Sequence, residues 1–362
     1  MSPADSNELD AWLRLTSIAG LGNATLRNLL LEFGSPDGVL AARAGDLNRF
    51  VAGDIAAQIV AGGDAEAVRR AREWLAAPEN HLIALGDAHY PQLLLQISDP
   101  PPLLYVKGRR ELLNRPALAI VGSRNATAQG IANAEDFARA LSDAGITIVS
   151  GLALGIDAAA HRGGLAGAAS SIAVIGTGID VVYPARNRDL AHQLAAQGAL
   201  VSEFALGTPA IASNFPRRNR VISGMSRGCL VVEAALQSGS QITARLANEQ
   251  GREVFALPGS IHSPLAKGCH ALIKQGAKLV ESANDILEEL NLAAVAPIVH
   301  ATPELDANAA RLLDLLGYAP SGLDTLCALS GWGTHTVSAL LLTLELHGLI
   351  ENLPGGQYQR VR

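Results

Sequence analysis

A chain of 362 residues that is 49% hydrophobic and only 17% charged holds enough apolar material for two or three packed domains, and it is excluded from being largely disordered. A net charge of −6 excludes a protein that is basic throughout, so any nucleic-acid contact must be confined to a local patch. Three well-separated cysteines (Cys229, Cys269 and Cys327) lack C-x-x-C spacing, which excludes a disulfide framework or a cysteine zinc site as an expectation.

The first ten residues, MSPADSNELD, are acidic and polar and do not read as a signal peptide. The uncharged stretch Gly163 to Ile179 is broken by five glycines, so it reads as a loop and buried strand, not a membrane span. A cytoplasmic chain with no membrane contact is expected.

From Leu9 to about Ala77 apolar residues recur at helical spacing without strand-like runs. Residues 1–77 are therefore expected to form a small helical domain. Within it, Ile18-Ala19-Gly20-Leu21-Gly22-Asn23-Ala24-Thr25 precedes the apolar helix Leu26–Phe33 and resembles a helix-hairpin-helix turn. Glycines in such a turn let backbone N–H groups approach a phosphate. The same residues also suit an ordinary capping turn between two helices.

Residues 78–290 alternate short apolar runs with helical segments. The runs are Ala117–Val121, Ile146–Val149, Ser171–Ile175, Ala199–Glu203, Cys229–Val232, Glu253–Leu257 and Ala277–Val280, starting 24 to 30 residues apart, one βα unit each. Strands that are apolar throughout are buried on both faces, and right-handed crossovers then give a doubly wound parallel sheet of extended Rossmann-like α/β type. Two earlier runs, Leu82–Leu85 and Leu103–Val106, are expected to extend that sheet or cover its edge.

Residues 291–306, rich in Ala and Pro, read as a linker. Residues 307–362 then give three helical segments and a hairpin turning at Pro354-Gly355-Gly356, the order of a winged helix. From Pro303 to Arg362 there are three basic and six acidic residues, and the expected recognition helix, Thr334–Leu346, has no Lys or Arg. Groove docking needs phosphate neutralisation, so duplex binding by this domain alone is not expected.

Ligands of an open α/β sheet bind beyond the carboxyl ends of its strands. After the first expected parallel strand come Gly122, Ser123, Arg124 and, at the following helix start, Thr127. The second is followed by a loop with Gly151 and Gly155, and the fifth by a polar helix start with Ser240 and Thr243. Between Phe204 and Val232 there is no acid, but there are Arg217, Arg218, Arg220 and Arg227, centred on Asn214-Phe215-Pro216-Arg217-Arg218-Asn219-Arg220. Pro216 argues against a helix interior there. Arginines without sequence-adjacent carboxylates, on a rim of small polar loops, predict a track for a run of phosphates. At about −0.7 per phosphate neutralised on a single strand, four arginines predict a salt slope near −3. Phe215 is the one ring in the basic segment and Tyr183 the next candidate, so stacking is expected to be minor.

GSR at 122–124, SGLALGIDAAAH at 150–161, FPRRNRVISGMS at 215–226 and SGSQITARLANEQGREVFALPGS at 238–260 resemble the DNA-processing protein A (DprA/Smf) family, as does GDAHYPQLLLQISDPPPLLYVKG at 86–108. The resemblance implies a sterile-alpha-motif-like helical domain, an extended Rossmann fold and a winged helix. It implies single-stranded DNA binding, homodimerisation through the Rossmann fold, and loading of the RecA recombinase during natural transformation, with neither catalysis nor cofactor. It places Arg124 and the segment Arg218-Asn219-Arg220 on DNA. Cys269-His270 stands where the family has a Gly-x-Asn-x-Leu-Ile pattern, with Lys267 as a flanking candidate contact.

The alternative is a Rossmann-like nucleotide phosphoribohydrolase of the lysine-decarboxylase-like class. That class resembles Pro-Gly-Gly-x-Gly-Thr followed by a catalytic glutamate, whereas Pro258-Gly259-Ser260-Ile261 lacks the second glycine and the Gly-Thr pair. His161, His192, His262 and His270 show no triad or metal-ligand spacing, and a lone His after a helix start reads as a packing or capping residue.

Overall fold

A computed structural model describes residues 3–294 and 305–361 of the chain. Most of the expected linker, residues 295–304, lies outside the described residues. The chain begins with α1 (Pro3–Thr16), α2 (Asn23–Phe33), α3 (Pro36–Ala41), α4 (Ala44–Leu47), α5 (Gly53–Val60) and α6 (Ala65–Trp74). Local chemistry sets several starts: Ser35 caps α3 with Pro36 in its first turn, and the Asp64 carboxylate accepts from Glu66 N and Ala67 N at α6.

Nine strands form one sheet: β1 (Asn80–Ala84), β2 (Leu103–Gly108), β3 (Ala117–Val121), β4 (Thr147–Ser150), β5 (Ser171–Val174), β6 (Ala199–Ser202), β7 (Gly228–Val231), β8 (Glu253–Ala256) and β9 (Lys278–Leu279), in the order β1-β2-β6-β5-β4-β3-β7-β8-β9. The seven strands from β6 to β9 in that order pair in parallel, while β2 runs antiparallel to β6 and β1 antiparallel to β2. The two early runs thus extend the sheet at one edge. Helices α7 (Ala128–Asp143), α8 (Ile156–Ala166), α9 (Arg188–Gln197), α10 (Asn214–Gly224), α11 (Gly239–Glu249), α12 (Lys267–Lys274) and α13 (Ala283–Glu289) accompany it.

The continuous apolar runs are explained by two-sided burial. Along β3, Ala117, Ala119 and Val121 enter one apolar cluster while Leu118 and Ile120 enter another across the sheet. A further cluster joins Trp12, Leu15, Leu26 and Ile59 of the first helices to Leu103, Tyr105 and Ala173 of the sheet, with Trp74 edge-on to Tyr105 at 5.8 Å. Apolar packing is therefore continuous across residue 77.

After the linker come α14 (Ala307–Leu316), β10 (Ser321–Gly322), α15 (Leu323–Ser330), α16 (Thr334–Leu346), β11 (Ile350–Leu353) and β12 (Gln357–Arg360). The sheet order β10-β12-β11 packs with Leu312, Leu326, Val337, Leu341 and Ile350 into a separate core, giving a winged helix. Its last strand reaches the Rossmann unit, where Gln359 Nε2 donates to Gln129 Oε1 at 3.2 Å. No helix among the described residues is long and apolar enough to cross a membrane.

Candidate functional site

From β3 the chain winds outward through β4, β5 and β6, then returns to β7 on the other side of β3. That reversal opens a crevice beyond the carboxyl ends of β3 and β7. A cavity of about 660 Å³ lies there. Its walls include Gly122, Ser123 and Arg124 from the loop after β3, Phe215, Arg218 and Asn219 from α10, and Ser240 and Thr243 at the start of α11. Gly122 and Thr243, 121 positions apart in the chain, thus line one cavity.

The loop between β4 and α8 is held open by buried polar contacts. Asp157 Oδ2 accepts from Gly151 N at 3.1 Å, and His161 Nε2 accepts from Leu152 N at 3.2 Å. Leu152 has φ 57°, a conformation disfavoured for a γ-branched side chain, and Asn187 Nδ2 fastens it by donating to its carbonyl at 2.9 Å. Gly155, at φ +72°, lies under the Ser123 and Arg124 carbonyls, and Ile156 N donates to Ser123 O at 3.1 Å. Gly155 therefore positions the arginine-bearing loop. His161 is a buried packing and hydrogen-bonding residue, held by burial at a pKa of about 3.

The arginine segment departs from the sequence expectation in three ways. Pro216 is helical, the third residue of α10, because the first-turn N–H it lacks has no intrahelical partner in any case. Arg227 lies at the opposite end of the sheet, its N–H donating to Ala117 O at the start of β3, so it is outside the crevice. The remaining arginines differ in what they do. Arg218 is 5% exposed, and its Nη1 donates to Gly151 O at 2.6 Å and to Val174 O. Burial lowers its pKa to about 10, and the Asp157 carboxylate opposes that shift.

Arg220 is held by Glu203 at 2.5 Å and Asp99 at 3.4 Å, with its side chain only 11% exposed. Arg217 reaches the same Glu203 carboxylate at 3.2 Å but keeps 48% of its side chain exposed. It also lies over Phe204, and its Nη2 is 3.5 Å from Asn23 Oδ1, in the glycine turn that opens α2. The segment is therefore not free of carboxylates in space. Glu203, the residue immediately before the acid-free stretch, was the available signal. Of the four arginines of this segment, Arg227 is thus at the far end of the sheet, Arg218 and Arg220 are held by internal partners, and Arg217 keeps the most exposed guanidinium of the three on α10.

Arg124 is exposed, its guanidinium 5.9 Å from the centre of the Phe215 ring, and Tyr183 lies 5.5 Å from that ring. Asn219 and Ser240 sit deeper, with Ser240 sharing a 2.7 Å hydrogen bond with Ser238. Thr127 caps α7 and donates its hydroxyl to Glu233 at 2.6 Å, so it turns away from the cavity lining. Lys267 opens α12 and is exposed, but it is not in the cavity wall. No cluster of three or more His, Cys, Asp or Glu suited to a metal ion occurs among the described residues.

The chain is similar to known proteins over most of its length. The family model described as DNA recombination-mediator protein A matches residues 81–291, and that of the DprA winged helix domain matches residues 296–356. The chain is 45% identical to Protein Smf of Escherichia coli (strain K12) over 303 residues, covering 80% of this chain and 79% of that protein. It is 47% identical to DNA processing protein DprA of Streptococcus pneumoniae over 203 residues, 56% of this chain and 72% of that one. The X-ray structure of DprA from Streptococcus pneumoniae superposes with a TM-score of 0.69 at 37% identity, covering 78% of this chain and 97% of that chain. A structure describing the single-stranded DNA binding mode of DNA processing protein A from Helicobacter pylori superposes with a TM-score of 0.54 at 28% identity, covering 59% and 96%.

Proposed function

The chain belongs to the DNA recombination-mediator protein A family, and we propose that it binds single-stranded DNA through the β3/β7 crevice and hands it to a RecA recombinase. The observation that carries the DNA reading is the exposed guanidinium of Arg124 in the wall of a cavity lined by the buried polar groups Arg218, Asn219, Ser240 and Thr243, with Arg217 exposed on the same helix α10 that supplies part of that wall. Arginine and backbone contacts to phosphates carry no sequence information, so binding is independent of sequence. The single-stranded DNA binding mode described for the Helicobacter pylori protein supports the same reading. RecA loading, natural transformation, a homodimer through the Rossmann unit, a cytoplasmic location and the lack of catalysis rest on the family resemblance.

Mobility shifts with single- and double-stranded oligonucleotides across a salt series test the site. Arg124→Ala and Arg217→Ala should each weaken single-strand binding, and Arg124→Ala, whose charge has no carboxylate partner at hand among the described residues, should flatten the salt slope by about 0.7. Unchanged affinity in the double variant would overturn the assignment. The rate of RecA filament assembly on single strands, with and without the protein, tests the partner, and sedimentation velocity tests the dimer.

A further inference from the structure

The first helix after the first parallel strand is where a Rossmann-type fold ordinarily receives a nucleotide phosphate, because its N-terminus presents unpaired N–H groups and positive partial charge. In this chain that place is filled from within. The Glu233 carboxylate, just beyond β7, accepts from Thr127 N at 3.0 Å through Oε2 and from the Thr127 hydroxyl at 2.6 Å through Oε1. Thr127 Oγ1 in turn accepts from Gly130 N at 2.9 Å. A Cβ at residue 130 would lie 2.6 Å from both Glu233 carboxylate oxygens, so the glycine in this first turn makes room for an internal carboxylate. Beside it the winged-helix strand β12 places Gln359 against Gln129, the second residue of α7, and the charge of Glu351 on β11 acts on Glu233.

We propose that Glu233 is a specificity-determining residue: a built-in anion that closes the first turn of α7, beside the crevice, to the phosphates of a free nucleotide. Phosphates are then admitted only along the open rim formed by Arg124, α10 and α11, where a polymer backbone can pass. The proposal rests on the DNA reading above for the identity of the polymer, and on geometry alone for the closure. A carboxylate repels a phosphate, and this one already holds the N–H and hydroxyl of Thr127, the residue that caps α7.

The test uses the full chain with two ligands measured separately by titration calorimetry or anisotropy: ADP as the free nucleotide, and a labelled thymidine oligonucleotide. Glu233→Ala removes the internal anion and clears the first turn of α7, and should raise ADP affinity about tenfold or more over wild type. Oligonucleotide affinity should stay within about twofold, because Glu233 does not line the cavity. Glu233→Gln keeps the shape and an acceptor for Thr127 and removes only charge. It serves if the alanine variant fails to fold, with an expected gain of about threefold. ADP binding that is equal in wild type and the folded variants would overturn the proposal, as would tight ADP binding to wild type. Failure of wild type to bind the oligonucleotide would instead overturn the DNA reading and leave the ADP comparison standing.

Discussion

Arg218 Nη1 lies 2.6 Å from the carbonyl oxygen of Gly151, and a Cβ on residue 151 would lie equally close to that guanidinium nitrogen. The contact joins α10 to the loop after β4 and turns one arginine of the basic segment into a structural brace. Its charge is compensated by Asp157 and by backbone carbonyls, not by solvent.

Arg218→Ala and Arg124→Ala should therefore fail in different ways. Removing Arg218 leaves buried carbonyls without donors and Asp157 without its counter-charge, a loss of about 3–5 kcal/mol. Removing exposed Arg124 should change stability by no more than about 0.5 kcal/mol. Urea midpoints at constant m-value measure the first effect, and single-strand affinity measures the second. Equal stability of the two variants would contradict the bracing role.

Glu203 sits between two arginines, with its side chain 3% exposed. Glu203→Gln keeps the shape but frees the charge of Arg217 for phosphate, while Arg220 retains Asp99. The expected outcome is a single-strand salt slope steeper by about 0.7. Stability should fall by about 1–3 kcal/mol, because the buried ionic hydrogen bonds weaken. A folded variant with the wild-type slope would remove Arg217 from the phosphate track.

The sheet was legible because its signal is local: a strand buried on both faces, such as Ala117–Val121, must be apolar at every position. The crevice was legible because small polar residues follow those strands at their carboxyl ends. The partners of the charged groups were not. Glu203 and Arg220 are 17 residues apart and Thr127 and Glu233 are 106 apart, so no periodicity couples them. Pro216 misled because its effect depends on position within a helix, and the sequence did not mark Asn214 as the start of one. The turn at Gly20–Asn23 carries no charge, yet packing brings Asn23 against Arg217.

Gly155→Ala tests whether the arginine-bearing loop is positioned from below. At φ +72° an alanine is strained by about 1–2 kcal/mol, and its Cβ would also lie 2.7 Å from the Arg124 carbonyl oxygen. Both stability and single-strand affinity should fall as the loop lifts. Gly239→Ala is the control for stability alone: it is the first residue of α11, its Cβ meets no protein atom within 4 Å, and the variant should be neutral or stabilised by up to about 1 kcal/mol. Retained DNA affinity in Gly155→Ala would show that the loop holds its place without that glycine.

Acid should loosen the crevice through His161. Its Nε2 accepts from Leu152 N, so Nδ1 carries the proton and donates to Ser171 Oγ at 2.8 Å, while the serine hydroxyl donates to Ile148 O at 2.9 Å. A second ring proton would break the bond that holds Leu152 in its left-handed conformation. Burial accordingly holds the folded-state pKa near 3, against about 6.5 in an unfolded chain. Between those values the unfolded state binds a proton that the native state refuses. Stability is fully present above about pH 6.5 and is lost as pH falls toward 3, with a contribution to the slope approaching about 1.4 kcal/mol per unit. His161→Gln keeps an acceptor for Leu152 N and has no titration, so its urea midpoint should fall less steeply between about pH 6.5 and 4, whatever its stability at neutral pH. Parallel pH profiles for wild type and variant would rule out His161 as the source of acid sensitivity.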